Sequence, residues 1–325
     1  MNKVFCRIVF LFCGLVSLIS CGVSEVRDKL NDVESYIMER PDSALAVLDS
    51  MDRAILSTDR LKAHHSLLLA MALDKNYIDV SDDSLARVAL DYYSRKGPAK
   101  YEARSQYYLA LSYYYAGDLS RAILEATKAE ALAEESDSLY LGFAKALQAD
   151  IYAKTHNDVE VLNSLREAYD IYYKLDLPYY VNATQLRLAK ALYNRGYVSK
   201  ADSLLCLLIR NKEVDTKIKA YALTDRAFIK IVDSIPDYPL AISMYENVVN
   251  DYGAKYMTYK DYWVYSYALE RVGRQEESQY LVDKLSQLDS SVSAYYWRYR
   301  IEVDKGNITE ALSVLEKSVT MHNEE

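Results

Sequence analysis

The sequence predicts an all-α protein, and three observations carry that prediction. Amphipathic segments of helical length follow one another along the chain, separated by short polar breaks, and no stretch sustains the two-residue alternation of a half-buried strand. Five prolines occur in 325 residues, and proline is the residue a helix interior tolerates least. Small residues recur at matching places in successive segments, the mark of a repeat. Sixteen segments qualify, over roughly 23–38, 42–51, 57–73, 82–95, 99–116, 118–134, 138–155, 157–174, 179–195, 197–211, 214–232, 237–251, 257–272, 274–287, 291–305 and 307–321.

The first twenty residues are of another kind. In MNKVFCRIVFLFCGLVSLISCGVSEV, Lys3 and Arg7 flank the start of an apolar run that stops at Ser20-Cys21. The run is too short to span a bilayer and has the layout of an export signal. Leu18-Ile19-Ser20-Cys21 resembles the lipobox of bacterial lipoproteins. That resemblance implies acylation of the Cys21 thiol, cleavage before it, and residues 1–20 as a removable signal peptide. An acyl chain contributes about 0.8 kcal/mol per buried CH₂, and two or more chains hold a protein stably on a membrane. The residues after Cys21 are Gly22-Val23-Ser24, with no Asp and no acidic cluster. This is compatible with sorting to the outer membrane and a periplasm-facing position.

Loss of Lys3 and Arg7 takes the basic count from 39 to 37 against 47 acids, a net charge of −10. So acidic a chain offers no counter-charge to nucleic acid or anionic headgroups. Of the four cysteines, Cys6 and Cys13 leave with the signal and Cys21 is the acylation site, so Cys206 stands alone in ADSLLCLLIR. A lone cysteine among leucines is expected to be a small buried apolar residue. His64, His65, His156 and His322 do not form a metal-ligand pattern, and the adjacent pair points to different helix faces. Neither a metal nor a cofactor is expected.

The stretch YYLALSYYYAGDLSRAILEATKAEAL supplies the template for the repeats. Ala110, Ala122 and Ala129 are separated by twelve and then seven residues, with Gly117 seven after the first. The same spacing joins Ala149, Val161 and Ala168, and again Ala189, Ala201 and Leu208 with Gly196. It recurs in Ile229, Ala241 and Val248 with Pro236 in the turn, in Ser266, Ser278 and Leu285 with Gly273, and in Tyr299, Ala311 and Ser318 with Gly306. Antiparallel helices approach closely only where side chains are small, and glycine suits a turn that ends a helix on a positive φ.

This pattern resembles the tetratricopeptide repeat, which implies a right-handed superhelical solenoid of helix-turn-helix repeats. Residues 97–325 follow it, and 21–96 form a divergent N-terminal region. There RPDSALAVLDSMD places Ala44, Leu48 and Met51 at second-helix positions, and SDDSLARVALDYY places Ser84 and Val88 similarly. The run LLLAMALDKNYIDVSDDSLARVALDYY is similar to the opening of tetratricopeptide-repeat lipoproteins and related sensor-regulators of Gram-negative anaerobes.

In that family the concave face is lined by fixed positions of each first helix. Carried over residue by residue, the register puts Tyr113 in the core and Tyr107, Leu111, Tyr114 and Tyr115 on the groove. Further along it selects Tyr193, Asn194, Trp263, Tyr267, Arg271, Tyr296 and Arg300. Tyrosine, tryptophan and arginine are the usual anchors of interfaces.

No Gly-rich phosphate loop, G-x-S-x-G or H-E-x-x-H is present, so no enzyme is expected. The expected role is a non-enzymatic, membrane-anchored scaffold or adaptor of the cell envelope that binds a protein or extended peptide segment. Two alternatives are a glycan-binding outer-membrane lipoprotein and the sensory partner of a separately encoded regulator. The oligomeric state is left open. Metabolic palmitate labelling should mark the wild type and fail to mark Cys21→Ala; equal labelling of the two excludes acylation at that thiol.

Overall fold

The computed structural model describes residues 23–324, so Cys21 and the expected export signal lie outside the described residues. The described residues are helical with no strand, in sixteen helices. They fall into two compact units, up to Leu175 and from Asp176. The first holds α1 (23–36), α2 (Pro41–Asp49), α3 (Asp59–Lys75), α4 (Ser84–Tyr93), α5 (Ala99–Tyr115), α6 (Leu119–Ala133), α7 (Ser138–Lys154) and α8 (Asp158–Lys174). The second holds α9 (Pro178–Asn194), α10 (Val198–Arg210), α11 (Thr216–Val232), α12 (Tyr238–Asn247), α13 (Tyr259–Arg271), α14 (Gln275–Leu285), α15 (Val292–Asp304) and α16 (Ile308–Glu324). The distinction expected at residue 96 concerns repeat register, and α4 and α5 pack together across it.

Within each unit the helices pair as hairpins, and the first helices also pack on one another: α3 on α5 and α5 on α7 in one unit, α9 on α11, α11 on α13 and α13 on α15 in the other. The second helices make no comparable packing among themselves. That asymmetry is the signature of a solenoid, an inner layer of first helices backed by an outer layer of second helices.

The small-residue register explains the pairing. Ala110, Ala122 and Ala129 are buried, as are Ala149, Val161 and Ala168, and Ala189, Ala201 and Leu208. Where the small residue is serine it carries its own hydrogen bond: Ser278 Oγ donates to the Ser266 carbonyl at 2.9 Å across α13 and α14. The turn between paired helices is equally regular. Gly117 has φ +78°, its N–H donates to Tyr114 O and the next N–H donates to Tyr113 O. Gly196, Gly273 and Gly306 repeat this. His156 and Tyr77 fill the same turn position with φ +56° and +59°, tolerated because the hydrogen-bonded ends of both helices over-determine the turn.

One register needs correction. In α4 the residues facing the core are Ala86, Ala89 and Tyr93, while Ser84 and Val88 are exposed. Ser84 instead opens the helix, its N–H held by Asp82 Oδ1 at 2.9 Å. The Asp82 carboxylate starts α4 there, and the helix face that follows presents Ala86, Ala89 and Tyr93 to the core.

An ionic cluster ties α1 to the repeats of the first unit. Glu34 Oε1 accepts from Arg104 Nη1 at 3.0 Å, and its Oε2 lies 2.8 Å from the Tyr101 hydroxyl and 3.1 Å from His64 Nε2. Arg104 Nε donates in turn to Asp137 Oδ2 at 2.7 Å, the residue that caps α7. Burial alone raises the Glu34 carboxyl, but the hydrogen bonds from His64 and Tyr101 and the charges of His64 and Arg104 outweigh it and hold the group at about 2. A carboxyl depressed in the folded state stabilises above its unfolded value, and that contribution is lost as pH falls through the folded one. Glu34→Gln should therefore melt below the wild type at pH 7, and the two melting curves should converge between about pH 5 and pH 2. A constant gap over that range excludes the linkage.

Candidate functional site

The layer of first helices in the second unit opens into a cleft of ≈ 640 Å³ between α9, α11 and α13. Its walls are Leu186, Arg187, Lys190, Tyr193 and Asn194 from α9, Tyr221, Thr224, Asp225 and Phe228 from α11, and Lys260 and Asp261 from the start of α13. This size suits several residues of a bound chain or a small molecule.

The rings form one wall. Tyr193 meets Phe228 edge-on at 5.7 Å, and the Lys260 ammonium rests over the face of Phe228 at 4.6 Å. Polar groups stand among the rings. Thr258 caps α13 through a reciprocal box: Asp261 N–H donates to Thr258 Oγ1 at 3.2 Å, and Thr258 N–H donates to Asp261 Oδ2 at 2.8 Å. The Asp261 carboxylate is thus committed to the helix start. Asp225 is not committed. Burial pushes its carboxyl up to about 6, and Asp261 adds to this against the opposing charges of Lys190 and Lys260.

Tyr193 and Asn194 are the sequence-predicted residues that the structure places in this cleft. Four of the others are corrected to core. Tyr107 and Leu111 are buried, with Tyr107 packed edge-on against Tyr108 and Tyr140 at 5.1 and 5.5 Å. Trp263 is 1% and Tyr267 2% exposed. The Trp263 indole N–H donates to Asp289 Oδ2 at 3.0 Å, and the Tyr267 ring lies 5.4 Å from that of Trp297. Long neighbouring helices leave gaps that only large rings fill, so groove positions become packing positions.

The remaining expected residues are half-buried or exposed, but outside the cleft. Tyr114 and Tyr115 are half-buried, their rings 5.7 Å apart. Burial, with the nearby Asp74 and Asp79 carboxylates, raises the Tyr115 hydroxyl above the usual tyrosine range. The cavity beside Tyr115 and Leu111 measures ≈ 30 Å³, room for water and little else. Arg271 pairs with Asp304 at 3.2 Å. Arg300 donates to the Tyr267 hydroxyl at 2.7 Å and to that of exposed Tyr296 at 3.0 Å. Both guanidiniums bind within the chain. Tyr113 is buried as expected, its hydroxyl donating to Asp83 at 3.1 Å. Cys206 is half-buried rather than enclosed. His64 and His65 do point apart, to Glu34 and to the Leu48 carbonyl.

Lys190 and Lys260 sit at groove positions under the same register that selected Tyr193, and preference for aromatics passed them over. Asp225 and Phe228 fall outside that register. At the groove-type positions of α11, Arg226 and Lys230 pair instead with Asp202 of α10.

Fold and cleft together define an all-α helical-repeat protein with a ligand-sized opening on its inner layer. The fold is similar to that of a Rap protein in complex with competence and sporulation factor, with a TM-score of 0.64, 16% identity, and 93% of this chain aligned to 89% of that one. BtubC from P. vanneervenii aligns more loosely, with a TM-score of 0.39, 14% identity, and 83% of this chain aligned to 90% of that one. No family model matches the chain, and no curated protein matches it.

Packing and cleft residues should separate on mutation. Trp263→Ala should cost about 3–5 kcal/mol of stability in denaturant titration. Tyr193→Ala, at the cleft wall, should cost about 1 kcal/mol. Comparable losses for the two would return Trp263 to the surface.

Proposed function

We propose that this chain is a non-enzymatic interaction module, carried on the outer membrane by a lipidated Cys21, that holds a protein or extended peptide segment in the α9–α11–α13 cleft. The observation that carries the reading is the cleft itself. Three successive first helices line it with rings and charges interleaved, so a segment lying across them meets apolar and polar partners together. Tyrosine rings supply contact area with few rotors to immobilise, which favours them as interface anchors.

Three further facts support the reading. Among the described residues no helix is long and apolar enough to cross a membrane, so a lipid on Cys21 is the anchor the sequence offers. The Rap protein of similar fold is complexed with competence and sporulation factor, so this architecture is compatible with holding a partner. The spacing of small residues resembles the tetratricopeptide repeat, whose inner layer is an interaction surface. A periplasm-facing position belongs to the same proposal and rests on Gly22-Val23-Ser24.

Affinity capture from detergent-solubilised envelope tests it. The wild type should retain a protein partner, and Tyr193→Ala combined with Asn194→Ala should lose most of it at unchanged circular dichroism. Recovery of the same partner at the same yield moves the site elsewhere. Recovery of glycan with a transporter, or of a membrane regulator, replaces the scaffold reading with one of the two alternatives.

A further inference from the structure

The cleft contains a charge without a partner. Among the described residues nothing hydrogen-bonds or ion-pairs with the Asp225 carboxylate; Lys190, Lys260 and Asp261 act on it only through space. Lys190 and Lys260 are exposed, and the Lys260 ammonium is spent on the Phe228 ring. A second group nearby is also unsatisfied. The Tyr245 hydroxyl of α12 is fully buried with no hydrogen-bond partner, and the charges acting on it are Asp261 and Asp225. Asp225 lines the cleft, whereas the Tyr245 hydroxyl is enclosed in the core and is not part of the cleft walls. Buried polar groups in folded proteins are otherwise matched.

We propose that Asp225 reads the bound segment, accepting hydrogen bonds from a lysine or arginine side chain that enters beside the Tyr193–Phe228 wall. This rests on the peptide-binding reading above and deepens it. Two charge assignments compete, since lysines also border the cleft. An anionic group would meet Lys190 and Lys260, which are hydrated, so little is gained by replacing water there. A cation meets Asp225, a half-buried carboxylate with no partner in the chain, and attraction there is stronger than at the exposed lysines. The aromatic wall adds a face for the cation, and Phe228 already holds one in that manner.

The protonation behaviour agrees. With burial and Asp261 raising the Asp225 carboxyl to about 6, it is charged at pH 7.5 and largely neutral at pH 5, so affinity for a cation falls as pH falls. The other charged or titratable groups around it are Arg187 and Lys190 on α9, Tyr221 on α11, Tyr245 on α12, and Lys260 and Asp261 on α13.

The test is a random dodecamer library panned on the detergent-solubilised full chain, on Asp225→Asn and on Tyr193→Ala, keeping the peptides that Tyr193→Ala fails to retain. Those peptides should be enriched in one lysine or arginine. Replacing it by norleucine in a synthetic copy should weaken binding at least about tenfold, the worth of one charge-assisted hydrogen bond. Asp225→Asn should erase that difference while melting like the wild type, and wild-type affinity should fall between pH 7.5 and pH 5. Absence of basic enrichment, enrichment in acids, or the same selection by Asp225→Asn overturns the role of Asp225 and leaves the cleft a peptide site. Recovery of no Tyr193-dependent peptide overturns both.

Discussion

Two antiparallel helices come together only as closely as the bulkiest side chain at their crossing permits, and at three of the six crossings with this spacing that side chain is alanine or serine. Ala189 against Ala201 and Ser266 against Ser278 leave no room for a larger neighbour, and the Ser278 hydroxyl bonds a carbonyl of the facing helix. Close pairing sets the direction of every later contact. Each hairpin offers its first helix to the first helix of the next hairpin, and the second helices are left on the outside. The inner layer, and with it the cleft, exists because the crossings are tight.

The same tightness explains the aromatic content. The repeats here are mostly longer than the compact helix pair the spacing resembles, so space opens away from the crossings. The chain fills it with rings. Tyr108 and Tyr140 share a hydrogen bond at 3.1 Å, Tyr113 reaches Asp83, and Trp263 reaches Asp289. A tyrosine or tryptophan can enter a core in this way because its polar tip finds a partner. With 32 tyrosines in the chain, a ring at a groove-type position is therefore weak evidence for a groove. Arg300 and Arg271 act likewise, bracing the last hairpins of the second unit through Tyr267, Tyr296 and Asp304.

What distinguishes the cleft from this packed surround is unfinished polar chemistry. In the first unit the carboxylate of Glu34 is surrounded by donors and held strongly acidic. In the second, burial acts on Asp225 with no donor to offset it, so its carboxyl moves the other way. The contrast between two acids in one chain separates a structural clasp from a recognition group. Asp261, committed to capping α13, shows that nearness to the cleft alone does not make a carboxylate available.

The sequence by itself determined the helices, their pairing and their turns. These depend on residues close in the chain: the apolar period, the small residue twelve before its partner, and the glycine that closes a helix. Where local chemistry differed from the template, as at Ser84, the register slipped, because the Asp82 carboxylate starts the helix at that residue. The lipobox-like run that ends at Cys21 is also a linear pattern, and it lies outside the described residues. Which side of a first helix meets solvent was not legible. Trp263 and Tyr193 occupy matching kinds of position, yet the one is enclosed in the core and bonded to Asp289, while the other is half-buried against Phe228 at the cleft. Exposure depends on side chains that arrive from other hairpins, and Asp225 stands uncompensated only because α9 and α13 bring their lysines near without touching it. Tertiary packing decided that, since burial and unpaired charge are properties of a neighbourhood and not of a spacing.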